Sequence, residues 1–111
     1  MTSSLFVSQV LSGYTALPDT PSRPSRHDRA VARDLYHRDV RLDSVRHAFL
    51  LASVRRHYRD PSLGPLDSIR SLSYFLPVIR QLELQPLDPF YVDYLERKLA
   101  DIPCPAERST P

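Results

Sequence analysis

Residues 25–59, SRHDRAVARDLYHRDVRLDSVRHAFLLASVRRHYR, decide the fold class. Ser25 followed three residues later by Asp28 forms a variant of the capping box, in which each side chain bonds the other residue's backbone N–H. Val31, Ala32, Leu35 and Tyr36 then share one helical face. A turn at Asp39 to Leu42 leads to Asp43, whose carboxylate suits the orphan amides at the start of a second helix. That helix is expected to run to about Tyr58. Its apolar residues, Val45, Ala48, Phe49, Leu50, Leu51, Ala52 and Val54, surround the whole wheel, which is the pattern of a central, buried helix.

Proline-rich breaks bound this pair and divide the rest of the chain. They are LPDTPSRPS (17–25), DPSLGPLD (60–67) and QPLDP (85–89). Before the first break, Phe6, Val7, Val10, Leu11 and Tyr14 form one arc of a helix over about Ser3 to Tyr14, with Ser3 or Ser4 as its cap. After the second, Ile69, Leu72, Phe75, Leu76, Val78, Ile79 and Leu82 fall on one side of a helix starting at Asp67 or Ser68. Pro77 interrupts it. A kinked helix is the preferred reading, against a short turn at Ile69 to Leu72 followed by a helix capped by Ser73. The last helix has the clearest start, Asp88 as cap and Pro89 at the first helical position, with Tyr91, Val92, Tyr94, Leu95, Leu99 and Ile102 as its buried arc. Alternating strand patterns and Asn-Gly or Asp-Gly hairpin turns are missing from the sequence. The expectation is a single all-α domain over 1–102, a compact bundle of about five helices, with the polar, proline-rich 103–111 as a disordered tail.

Composition removes several function classes. Two glycines in 111 residues leave no phosphate-cradling loop and no dinucleotide fingerprint, which need several glycines close together. The lone Cys104 excludes a disulfide framework and points to a reducing, cytoplasmic setting. No apolar run approaches the roughly 20 residues that span a bilayer, and no basic-then-apolar leader opens the chain. His27, His37, His47 and His57 recur every ten residues, so neighbours on one helix would point about 80° apart, a poor geometry for a shared metal. His37-Arg38-Asp39 matches a kinase catalytic tripeptide, but Ser44 stands where that loop needs Asn. No nucleophile elbow occurs. An enzyme, a cofactor and a metal site are therefore not expected.

The charge distribution is more informative than its total of +2. Of the 15 basic residues, 14 are Arg. Ser22 to Arg59 holds ten Arg against four Asp, whereas Asp60 to Pro111 holds five basic and eight acidic residues, so a +6 middle faces a −3 end. Arg26, Arg29, Arg33 and His37 line one helical stripe opposite Val31 and Leu35, and Arg55-Arg56-His57-Tyr58-Arg59 closes the following helix. Arginines with an adjacent aromatic suit phosphate contacts and base stacking. The same pattern also arises without nucleic acid. Arginine at a helix C-terminus complements the macrodipole, and the basic middle could pair with the acidic end of its own chain.

Residues 29–50 resemble the first two helices of a helix-turn-helix, but the second helix continues to about Tyr58 and is too apolar for a major groove, so sequence-specific readout is not expected. DRAVARDLYHRDVRLDSVRHAFLLAS (28–53) is similar to a helical pair in DnaD-type replication-initiation domains of bacteria, in which a Y-x-x-x-I/V segment follows; Tyr74 with Val78 and Ile79 stands in that place here. LDSIRSLSYFLPVIRQL (66–82) resembles the terminal segment of uncharacterised bacterial proteins of plasmids and other mobile elements. The likeness covers roughly 28–99 and implies DNA association without catalysis, as an accessory module. The residues expected at phosphates are Arg26, Arg29, Arg33, Arg55, Arg56 and Arg59, with Tyr58 for stacking. The alternative is a protein–protein adaptor or homodimer that docks through apolar residues not all needed in one core, namely Leu5, Leu50, Leu63, Leu84, Leu87 and Phe90.

Overall fold

The computed structural model describes residues 1–64 and 66–102, and these form five α-helices and two 3-10 turns, with no strand among the described residues. The expected tail, 103–111, lies outside them. The helices are α1 (Ser3–Thr15), α2 (Arg26–His37), α3 (Leu42–His57), α4 (Leu76–Leu84) and α5 (Pro89–Ala100). The turns are Pro61–Leu63 and Leu72–Phe75. The chain is all-α, as its periodicity indicates.

The capping box of α2 forms as its spacing requires. The Ser25 hydroxyl accepts from the Asp28 N–H at 3.1 Å, and Asp28 Oδ2 accepts from the Ser25 N–H at 2.8 Å. Asp28 is also 1% exposed, because its second oxygen accepts from the Leu72 N–H at 2.9 Å. One carboxylate thus caps α2 and ties the Leu72–Phe75 turn to it. At the other end of α2, Asp39 adopts a φ of 59°. The Val40 N–H reaches the Leu35 carbonyl and the Asp39 N–H the Tyr36 carbonyl, both at 3.1 Å, a Schellman closure that normally employs glycine.

α3 is the central helix, packed against α1, α4 and α5. Its buried residues, Val45, Ala48, Phe49, Leu51, Ala52, Ser53 and Val54, lie all around it. Gly13 lets α1 lie close, since a Cβ there would stand 3.3 Å from the Phe49 ring. Phe75 fills the centre with no exposed surface, edge-on to Tyr14 at 6.1 Å and to Phe49 at 5.0 Å between ring centroids. Removing such a ring costs about 3–5 kcal/mol in a close-packed core.

Three details differ from the sequence reading. At α1, Thr2 supplies the cap, its hydroxyl accepting from the Leu5 N–H at 3.2 Å. Asp43 sits inside the first turn of α3 and makes no cap bond; Arg41 occupies the cap position. The fourth helix does not begin at Asp67 and does not kink at Pro77. The Ile69 N–H donates to the Asp19 carbonyl at 2.8 Å and the Leu72 N–H to Asp28, so these donors bind distant partners while residues 66–71 stay irregular. The chain then makes the 3-10 turn capped by Ser71, and α4 starts at Leu76 with Pro77 in its first turn, where a missing N–H costs nothing.

At α5, Asp88 caps as expected, accepting from the Phe90 N–H at 2.8 Å, with Pro89 first in the helix. Val92, Leu95 and Ile102 are buried, but Tyr91 and Tyr94 are exposed. They stack on each other at 5.8 Å instead of joining the core.

Candidate nucleic-acid interface

The capping box starts α2 at Arg26, and Ala32 and Leu35 turn its apolar side inward. Arg26, Arg29 and Arg33, three and four residues apart, are left on the exposed side. None of the three makes a hydrogen bond or ion pair with another described residue, and the same holds for Arg55 near the end of α3. The acids of the C-terminal half do not answer them: among the described residues, Asp88, Asp93, Glu96 and Asp101 pair with no arginine of the middle stretch. Among the described residues, the ion pairs of the basic middle are instead those of Arg38 with Asp34 and of Arg56 with Asp19.

Arg56 and Arg59 behave differently. The Arg56 side chain is only 8% exposed; its guanidinium lies 3.6 Å from an Asp19 carboxylate oxygen, donates to the Asp67 carbonyl and sits 5.6 Å from the Tyr74 ring centroid. Arg59 donates to the Gly64 carbonyl at 3.0 Å. Arg59 thus holds Gly64, in the connection after α3, and Arg56 holds Asp67 and the Leu72–Phe75 turn. Tyr58 is half exposed and carries the Lys98 ammonium 5.2 Å over its ring, which joins the end of α3 to α5. In the same connection, hydrogen bonds from Ser62, the backbone N–H foremost, hold the Asp60 carboxyl below its usual range.

The two arginine clusters open onto separate hollows with no lining residue in common. One, of about 320 Å³, is lined by Arg55, Arg56, Arg59, Leu66, Tyr74 and Val78. The other, of about 390 Å³, runs between α1 and α2 and brings Arg29 and Arg33 against Ser4, Ser8, Ser12 and Thr15. The Leu72–Phe75 turn is bound to α2 through His27 Nε2 and the Ser73 hydroxyl at 2.9 Å and touches Arg56 through Tyr74. Tyr74 and the serine row lie outside the contact residues that the sequence suggests. Tyr74 is visible there only through the Y-x-x-x-V spacing, and the serines carry no signal until α1 and α2 pack together.

Beyond this face, no helix among the described residues is long and apolar enough to cross a membrane. No group of three or more His, Cys, Asp or Glu among them is placed to hold a metal ion. Comparison with protein-family models, with curated proteins and with solved structures finds no match.

Proposed function

We propose that this chain is a non-enzymatic accessory protein that associates with DNA through phosphate contacts, in the replication of bacterial or mobile-element DNA. One observation carries the reading. Arg26, Arg29, Arg33 and Arg55 are exposed and lack any hydrogen-bond or ion-pair partner among the described residues. Arginines three and four residues apart on α2, held without counter-charge, repel one another, and a polyanion relieves that repulsion. Tyr74, 44% exposed beside Arg55, adds an aromatic face for a base. The replication context rests on the resemblance of 28–53 to DnaD-type replication-initiation domains, and the mobile-element context on that of 66–82 to uncharacterised proteins of plasmids and other mobile elements. Arg56 contributes mainly by positioning the Leu72–Phe75 turn and Arg59 by holding Gly64, and Tyr58 lies on the α5 side, under Lys98.

A second reading, an adaptor that docks a protein partner or a second copy, is favoured by the exposed Phe90 and Leu84, at 84% and 76%. Elution from a heparin column beside the mass from light scattering separates the two. DNA association predicts late, salt-dependent elution of a monomer, moved early by Arg29→Glu with Arg33→Glu. Early elution as a dimer, unmoved by that double substitution, would favour the adaptor.

A further inference from the structure

We infer that the groove between α1 and α2 is a phosphodiester-binding site in which a row of serine hydroxyls on α1 completes what Arg29 and Arg33 begin. This deepens the DNA-association reading and rests on it. α1 and α2 pack side by side, and the Tyr36 hydroxyl donates to the Met1 carbonyl at 3.2 Å, so the start of α1 meets the end of α2. That antiparallel arrangement sets the Ser4 end of the row toward Arg33 and the Ser12 end toward Arg29. Ser4, Ser8 and Ser12 repeat every four residues, about 6 Å along the helix, the same interval that separates the two arginines on α2.

Three features favour an anion in this groove. The groove has a cavity of about 390 Å³ with no carboxylate among the described residues that line it. Arg29 and Arg33 open into it without a partner among the described residues. The hydroxyls of Ser4, Ser8 and Ser12 make no hydrogen bond to another described residue, although Ser8 and Ser12 have the carbonyls of Ser4 and Ser8 within reach, as Thr15 has that of Leu11. Free hydroxyl donors facing free guanidinium groups provide neutral and charged hydrogen bonds to the same phosphate oxygens. Arginine contacts release counterions and set the salt dependence of binding. Hydroxyl contacts add affinity without adding to it.

The test is the triple variant Ser4→Ala, Ser8→Ala, Ser12→Ala. Alanine is the better helix former at all three positions, so α1 remains intact. Binding of a labelled thymidine oligonucleotide is followed by fluorescence anisotropy over a range of salt, beside Arg29→Glu with Arg33→Glu and beside NMR titrations with the oligonucleotide and with inorganic phosphate. The triple variant is expected to bind about tenfold more weakly with an unchanged salt slope, whereas the arginine variant loses slope. The oligonucleotide is expected to shift the Ser4, Ser8 and Ser12 amides at concentrations where inorganic phosphate does not. A triple variant that binds within twofold of the original chain overturns the inference while leaving the arginine reading intact, provided the arginine variant is weakened. Saturation of the groove by inorganic phosphate before the oligonucleotide overturns the phosphodiester assignment. Failure of the arginine variant to weaken binding overturns the underlying function as well.

Discussion

Asp28 is the residue on which the turn carrying Tyr74 depends, and its replacement tests the architecture of the candidate interface. Its carboxylate is 1% exposed and accepts two backbone N–H bonds, from Ser25 at 2.8 Å and from Leu72 at 2.9 Å. Asp28→Ala removes both acceptors at once. A hydrogen bond to a charged group contributes about 1.5–3 kcal/mol, and the Leu72 N–H would stay buried without a partner, so the loss is about 3–5 kcal/mol. That is a large share of the roughly 5–15 kcal/mol that holds a domain of this size folded. Urea unfolding followed by circular dichroism measures it directly, with a fall in Tm on the order of 15 °C as the thermal counterpart. Asp28→Asn keeps one acceptor oxygen and is expected to fall between the two. Amide exchange at Leu72 should accelerate before exchange in α3 does. An Asp28→Ala protein within 1 kcal/mol of the original chain would refute the claim that this carboxylate joins α2 to the Leu72–Phe75 turn.

Other perturbations probe separate parts of the molecule. The Tyr14 hydroxyl is buried without a hydrogen-bond partner among the described residues, so Tyr14→Phe should be neutral or stabilise by up to about 1 kcal/mol in the same unfolding assay. Burial, with a smaller push from the Asp28 charge, raises the Tyr14 phenol from 10.0 to about 12. Its contribution is therefore complete below the unfolded value and lost as pH rises through the folded one, and Tyr14→Phe should flatten stability between those two pH values. Asp39→Gly relieves a φ of 59° at the end of α2 and should raise stability by about 0.5–1 kcal/mol. Arg56→Ala should destabilise by about 2 kcal/mol through the lost Asp67 and Asp19 contacts, while Arg55→Ala changes stability by less than about 0.5 kcal/mol and weakens DNA binding.

The parts of this fold that are legible in the sequence are those decided within a few residues. The Ser25–Asp28 box and the Asp88–Pro89 start are local chemistry, and both form as written. The encircling apolar residues of α3 likewise name the central helix, because a helix that is apolar all round has to be covered on every side. Pro77 misleads for the opposite reason. Whether 67–72 is helical depends on its N–H groups, and two of these bond Asp19 and Asp28, residues far away in the chain. Spacing counts Tyr91 and Tyr94 as apolar, although a phenol can lie flat on the surface, and here Lys98 sits 5.7 Å over Tyr94. At the site, the exposed stripe of Arg26, Arg29 and Arg33 follows from helical period alone. The burial of Arg56 does not, since Asp19 and Tyr74 reach it only through the tertiary fold. The α1 serines stay silent because an exposed polar helix face is ordinary until another helix sets two arginines beside it.

The central claim is that the exposed Arg26, Arg29, Arg33 and Arg55 meet phosphates, and the most direct measurement is the salt dependence of duplex DNA binding by the intact chain. With Arg26, Arg29, Arg33 and Arg55 each neutralising one phosphate, the logarithm of the binding constant should fall against the logarithm of salt concentration with a slope of about −3 to −4. Arg29→Glu with Arg33→Glu should reduce that slope by about 2, equally for unrelated DNA sequences. A slope near zero, or one that the double substitution leaves unchanged, would contradict the claim.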